Sequence, residues 1–295
     1  MTICSESYPA VTAMMAVHNE RDNVSRAVNS LLGQSLKDIE VLVVDDGSHD
    51  GTSEILKAIN DPRLRVIRKE DRGGQAAALA LAAEEARGRY VANLDADDVA
   101  YPDRLKKQAA FLDARRDHGW VGGAEDRRDA QRGENYIRRY PLEDAAIRRQ
   151  AARCIPYCHT GIMFRRRIVE EGINYDPTQP YLIDFHLFLR IAKKWKVANL
   201  SDPVVVRNAR DESFYQRRFK RMEQNKRLAA LSLQAITLFR LPAWYRIYPA
   251  ARLGYPYVPN IVKRPIRALG GLIEQPFTDD CGVKVGFPVP VKERL

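Results

Sequence analysis

The chain has 295 residues, 45% hydrophobic and 29% charged, with a net charge of +10, enough for one large domain or one and a half around a sizeable core. The charge is uneven: residues 1–213 carry 33 Lys and Arg against 33 Asp and Glu, whereas 214–295 carry 15 against 5. The molecule is a neutral body with a basic tail, and no recognised module accompanies the charge, which argues against a nucleic-acid-binding protein.

Four cysteines (Cys4, Cys154, Cys158 and Cys281) form no paired framework for a chain of this length, and Cys154 to His159 has no second ligand pair at finger-like spacing. Reduced thiols are expected. The segment Met1 to Glu6 lacks the basic and apolar regions of a signal peptide. The longest apolar-rich run, Leu228 to Phe239, is interrupted by Ser, Gln and Thr and falls short of the ~20 residues that span a bilayer. A cytoplasmic protein is expected.

Val11 to Val17 is a short apolar run that reads as a buried first strand, followed by the polar loop from His18 to Asp22. Val24, Ala27, Val28, Leu31 and Leu32 then mark one face of a helix. Ile39 to Val44 is a second strand, rich in Val and Ile as parallel buried strands are, and it ends in Asp45-Asp46-Gly47-Ser48. Asp50-Gly51-Thr52 opens another helix, and Leu64 to Ile67 is a third strand. Gly73-Gly74 precedes an alanine-rich helix, Gln75 to Ala86, with Gly88 expected as its C-cap. Tyr90 to Leu94 is a fourth strand, and Tyr101-Pro102-Asp103 begins the next helix. Further on, a strand is expected over Trp120 to Ala124, then a charged segment from Glu125 to Arg139 crossing the surface with most of its arginines solvated.

The fourth strand runs into Leu94-Asp95-Ala96-Asp97-Asp98. Three carboxylates within four residues repel unless something neutralises them, and a hard divalent cation, Mg2+ or Mn2+, shared with substrate phosphates is the obvious neutraliser. Alternating strands and helices specify an α/β domain with a mainly parallel sheet. In such sheets ligands bind beyond the carboxyl ends of the strands. Asp45-Asp46 and Asp95 to Asp98 both lie at carboxyl ends and can face one crevice, which favours a site over two solvated turns.

With these elements placed, the sequence resembles the family 2 glycosyltransferases of the GT-A fold. The matching text is Ala16 to Glu20, Val43 to Ser48, Ala86 to Tyr90, Leu94 to Asp98, His159 to Arg165 and Asp184 to Arg190, over roughly residues 9 to 213. The resemblance implies a Rossmann-like, mainly parallel sheet flanked by helices, in a glycosyltransferase domain over 1–213. It implies that Ala16, His18, Glu20 and Asp46 hold the base and ribose of a nucleotide-diphosphate sugar, UDP- or dTDP-linked. Asp95 and Asp97 bind ribose and the diphosphate-bound metal, Asp97 and Asp98 being the metal ligands, and Asp184 is the catalytic base of an inverting transfer. His159, Arg190 and Arg207 fall to the acceptor or diphosphate side, with Ser213 in a pyrophosphate-contacting loop. Three departures stand out: His18 where an aromatic is common, Leu79-Ala80 where Arg-Asn is common, and Ile183-Asp184 where Glu-Asp is common. Arg72, beside Gly74, is the candidate to replace the missing nucleotide-side arginine.

The alternative is a catalytically silent sugar-nucleotide-binding or scaffolding protein, against which the intact acidic set speaks. Residues 214–295 read as a mostly helical extension in which Arg217 to Arg221, Trp244 to Tyr248 and Lys263 to Arg267 interleave cations with aromatics. Three partners fit it: an anionic membrane at the inner face, a second copy in a homodimer, or its own catalytic domain. A membrane partner suits a lipid-linked acceptor, and the family context suits cell-surface polysaccharide or glycolipid synthesis.

Overall fold

Val11–Val17 (β1) lies in the parallel half of the sheet, and its side chains show why. Val11, Ala13, Met15 and Val17 enter the core on one face, while Met14 and Ala16 pack into the core on the other. A strand covered on both faces is apolar throughout rather than alternating. Ile39–Asp46 (β2) pairs with it in parallel, Val11 opposite Ile39 and Val17 opposite Asp45. Leu64–Lys69 (β3) extends the sheet beyond β2, and Tyr90–Asn93 (β4) pairs with β1 on its other side, both in parallel. The connections are the helices Val24–Leu32 (α1), Thr52–Ala58 (α2) and Gln75–Glu85 (α3). In α1 the buried residues are Val24, Ala27, Val28, Leu31 and Leu32, the stripe that the sequence spacing picks out. Gly88 is not the cap of α3, which Ala86 occupies. A Cβ at Gly88 would lie 2.3 Å from the Thr12 nitrogen and 2.6 Å from the Val11 carbonyl carbon, so close backbone approach to β1 requires the glycine.

The computed structural model describes residues 8–129, 134–208, 221–254 and 283–285. Ser213 and most of the basic runs near 217 and 263 therefore lie outside the described residues, as do Cys4 and Cys281. Beyond β4 come Val99–Ala100 (β5), Arg104–Ala114 (α4), His118–Asp129 (β6), Glu134–Arg139 (β7) and Asp144–Ala151 (α5). A 3-10 turn at His159–Gly161 leads to Met163–Arg165 (β8), Arg167–Glu170 (α6), Ile183–Ala192 (α7) and Lys196–Asn208 (β9). β8 is antiparallel to both β4 and β6, so β6 again runs in the direction of β4. β7 returns antiparallel to β6, while β9 runs parallel to β6 and also pairs with β5. The result is a mixed α/β fold, parallel where the two acidic clusters end their strands.

The segment from Glu125 to Arg139 corrects the expectation of a solvated crossing. β6 continues to Asp129 and β7 turns back along it. The alternating charges follow the two-residue period of a strand: Glu125 is 0% exposed, whereas Asp126 on the opposite face accepts from Tyr101 and Arg128.

Of the tail, the structure shows Arg221–Leu238 (α8), a 3-10 turn at Ala243–Arg246, Ile247–Gly254 (α9) and Val283–Val285 (β10). Leu228, Leu231 and Ala235 of α8 share one core with Trp120, Phe164 and Phe188, and β10 pairs antiparallel with β7. α8, which lies beyond the change of charge at 213, therefore packs into the same core as the body. Cys158 is free and buried, but Cys154 is disulfide-bonded, which corrects the expectation of reduced thiols throughout. Cysteine spacing in a chain of this length carries no signal for that pairing. Leu231→Ala should lower unfolding stability by about 2–5 kcal/mol, read from urea denaturation. A loss below about 0.5 kcal/mol would mean that α8 is not part of the core.

Candidate active site

The loops after β1 and β2 are sewn together by short polar side chains. Asn19, in the left-handed region at φ 57°, donates its N–H to Ser48 Oγ at 3.0 Å and accepts the His49 N–H at 3.0 Å. The Glu20 N–H donates to Thr52 Oγ1 at 2.9 Å, and His18 Nδ1 donates to the Asp46 carbonyl at 2.9 Å. Asp45 is wholly buried and structural: it accepts the Ser48 N–H at 3.0 Å and the Ser53 hydroxyl. Asp46 accepts from Lys69 Nζ at 2.7 Å and from the N–H groups of Gly73 and Gly74 at 2.8 and 2.6 Å. Burial alone would raise its carboxyl, but those three donors outweigh it and hold the pKa below the ordinary value. Asp46 therefore fixes the Gly73-Gly74 turn, where Gly74 sits at φ 90°. Arg72 is exposed on the same turn, and Ala16 is half-buried at the end of β1.

The acidic loop after β4 is built from beneath and from both sides. Arg104, fully buried at the start of α4, donates from Nη2 to the carbonyls of Asn93 at 2.6 Å and Ile162 at 3.1 Å. Burial brings its pKa down to about 10, and Asp95 and Asp98 nearby help to keep it cationic. Asn93 Nδ2 donates to Asp95 Oδ1 at 3.2 Å, and the Asp95 N–H donates to Thr160 Oγ1 at 2.8 Å. His159 stands with Nδ1 4.0 Å from Asp95 Oδ1 and Nε2 bonded to the Tyr175 hydroxyl at 3.1 Å. Arg26 and Asn208 each donate to the Asp97 carbonyl at 3.2 Å.

Asp98 is the buried member of the set, and its Oδ1 has no hydrogen-bond partner among the described residues. Burial first, then Asp97, and also Asp95 raise its pKa well above the ordinary value, against Arg207 and the Thr160 hydroxyl. Among the described residues no three His, Cys, Asp or Glu side chains are arranged to hold a metal ion by themselves. A buried carboxylate oxygen without a partner, next to half-exposed Asp97, fits instead a cation whose other ligands come from a bound phosphate.

Asp184 lies in the first turn of α7, two residues after Leu182, which sits in the left-handed region at φ 54°. It is half-buried, and its carboxylate makes no hydrogen bond or ion pair among the described residues. Arg190 does not orient it: the guanidinium donates to the carbonyls of Asn174 at 2.7 Å and Gly172 at 3.0 Å, so it braces that loop rather than the acceptor side. Arg207 belongs to β9 itself, within 3.4 Å of buried Glu125. The sequence reading passed over Asn93, Arg104, Thr160 and Glu125. A polar residue closing an apolar strand was the available signal for Asn93.

A mixed sheet with acidic loops at the carboxyl ends of its parallel strands is the architecture of the GT-A glycosyltransferases. The model of glycosyl transferase family 2 matches residues 12–173, and the chain belongs to that family. It is 29% identical to a Bacillus subtilis (strain 168) protein named as the glycosyltransferase EpsE, over 91% of this chain and 99% of the relative. It is 35% identical to an Escherichia coli glucosyltransferase, WfaP, over 35% of this chain and 41% of the relative. WfaP is named as acting from UDP-Glc on alpha-D-GlcNAc-diphosphoundecaprenol. Among solved structures, Staphylococcus aureus TarS (1–349) with UDP-GlcNAc superposes at a TM-score of 0.65, with 20% identity over 90% of this chain and 81% of that one. The mannosyltransferase PcManGT of Pyrobaculum calidifontis, with GDP-Man and Mn2+, does so at 0.61, with 20% identity over 91% and 81%. The protein is thus a glycosyltransferase with relatives in polysaccharide biosynthesis.

The burial of Asp98 has a pH signature. Its folded pKa stands above the unfolded one near 4, so the folded state holds the proton more tightly. That carboxylate's effect on stability therefore becomes less favourable as pH rises from the unfolded value toward the folded one. Asp98→Asn is expected to stabilise the metal-free protein at pH 7, with the gain shrinking toward pH 4, in urea titrations across that range. A variant less stable than wild type at pH 7 would contradict this reading.

Proposed function

We propose that the protein transfers a sugar from a nucleotide-diphosphate donor, UDP- or dTDP-linked, to a hydroxyl of a glycan or lipid-linked acceptor, with inversion at the anomeric carbon. The observation that carries this reading is the division of the carboxylates. Asp95, Asp97 and Asp98 are gathered on one loop, whereas Asp184 stands on another element with no partner among the described residues. A carboxylate without a partner is available to accept the proton of an attacking hydroxyl as general base.

In this reading Ala16, His18, Glu20 and Gly74 border the base and ribose, with Asp46 holding the glycine turn that faces them and Arg72 on its rim. Asp95 meets the ribose. Asp97 and Asp98 would hold Mg2+ or Mn2+ together with the donor diphosphate. When bound, the ion stabilises the charge that grows on the departing nucleoside diphosphate. His159, locked between Asp95 and Tyr175, sits on the diphosphate side. The leaving group then needs no protonated carboxylic acid, unlike the scheme for glycoside hydrolysis. Cell-surface polysaccharide or glycolipid synthesis is supported by the names of the relatives.

Among the described residues no helix is long and apolar enough to cross a membrane. Trp244 and Ile247 are 59% and 63% exposed, Tyr245 stacks on Trp244 at 4.1 Å, and Arg240 and Arg246 are exposed beside them. Aromatics with a cationic rim suit peripheral attachment to an anionic bilayer, the proposed route to a lipid-linked acceptor.

Asp184→Asn should keep nucleotide binding while lowering transfer by about 10²- to 10⁴-fold, measured as product formed and as calorimetric affinity for UDP with Mn2+. Undiminished turnover would remove Asp184 from the role of base. Replacing Trp244 and Ile247 with Ser should weaken flotation with anionic vesicles; flotation equal to wild type would exclude that face as the contact.

A further inference from the structure

Glu125 stands near the carboxyl end of β6, the same end of the sheet as Asp95 to Asp98, and it is 0% exposed. A carboxylate so placed must be neutralised, and here three guanidiniums converge on it. Arg138 lies opposite on β7 with Nη1 at 3.2 Å, Arg207 approaches from β9 at 3.4 Å, and Arg127 lies two residues along β6 at 3.7 Å. The register explains the convergence: Glu125 pairs with Arg138, and Arg127 pairs with Arg207. All four side chains therefore share one face. Tyr140 and Cys158 donate to Glu125 from below at 3.3 and 3.2 Å.

Arg138 is nearly buried, whereas the side chains of Arg127 and Arg207 are 27% and 36% exposed. Contact with the shared Glu125 carboxylate helps to hold the partly exposed Arg127 and Arg207 side chains in position, which reduces the ordering cost of binding an anion between them. The row lies across the acidic loop from the β1, β2 and β3 loops: Arg207 acts on Asp98, and its neighbour Asn208 holds the Asp97 carbonyl.

We propose that Arg127 and Arg207, with Arg138 behind them, form a subsite for an anionic group on the acceptor, a phosphate or a carboxylate close to the hydroxyl that is glycosylated. The proposal rests on the reading that the donor nucleotide occupies the β1, β2 and β3 side. A neutral acceptor would leave these guanidiniums facing its apolar or hydroxylated surface, and it should bind less well.

Wild-type protein and Arg127→Gln, each saturated with UDP and Mn2+ to fill the donor side, are titrated calorimetrically with three probes. These are N-acetylglucosamine 1-phosphate, methyl glucuronide and neutral methyl glucoside. Wild type should bind one of the anionic probes at least about tenfold more tightly than the neutral one. Arg127→Gln should lose most of that preference with UDP affinity unchanged, and Arg127→Lys should keep part of it. A preference for the phosphate points to a glycosyl phosphate or lipid-linked diphosphate, and one for the carboxylate to a uronic acid. Equal binding of the three probes, or a preference that survives in a folded Arg127→Gln, overturns the proposal. If UDP does not bind wild type, the donor reading fails by itself, and the same titrations without nucleotide decide the subsite.

Discussion

Three carboxylates within four residues repel one another, so the backbone that carries them must be held firmly, and Arg104 holds it from inside the protein. Its guanidinium is fully buried and ties the carbonyl at the end of β4 to the carbonyl that precedes β8. A buried cation is costly unless it is bonded; Arg104 also donates from Nε to Gln108 at 3.1 Å, and Asp95 and Asp98 nearby favour its charged form. Thr160, Arg26 and Asn208 then fix the backbone of the acidic loop from three other elements, and Asn93 holds the Asp95 carboxylate. Within this framing Asp97 stays half-exposed and Asp98 Oδ1 has no hydrogen-bond partner among the described residues, an arrangement that suits a cation arriving with a phosphate.

The two sides of that loop have different characters. Toward β1, β2 and β3 the loops are short, hydrogen-bonded through Asn19, Ser48 and Thr52, and stiffened by Asp46 on its glycine turn. Toward β6, β7 and β9 the surface is cationic, organised by one buried carboxylate. A donor and an acceptor approaching from opposite sides would meet different electrostatics. The basic C-terminal residues add a third region, but α8 belongs to the core, so that part of the tail is structural before it is anything else.

Much of the parallel half was legible in the sequence, because strands buried on both faces are written as mostly apolar runs and α1 carries its stripe at helical spacing. Asp95, Asp97 and Asp98 could be picked out by their density, and Asp184 by its context. Other parts were not legible, for physical reasons. A charged strand such as Glu125 to Asp129 has the composition of a solvated loop, and only its partner strands reveal that one face is buried. Arg104 follows Pro102-Asp103 at a helix start, where an arginine ordinarily faces water; nothing local says that the chain folds over it. Gly88 looked like a helix cap because it follows α3, yet its constraint comes from β1, far away in sequence. Arg190 was placed by the resemblance on the acceptor or diphosphate side, while its guanidinium serves the loop at Gly172.

The central claim is a single displacement in which Asp184 takes the acceptor proton and the acidic loop holds the leaving group. The stereochemistry of the product tests it most directly. With an α-linked UDP-sugar as donor, the anomeric proton coupling of the first-formed product, read by NMR before mutarotation or secondary transfer, should report a β linkage. An α linkage would contradict the single displacement and require a different arrangement of the carboxylates.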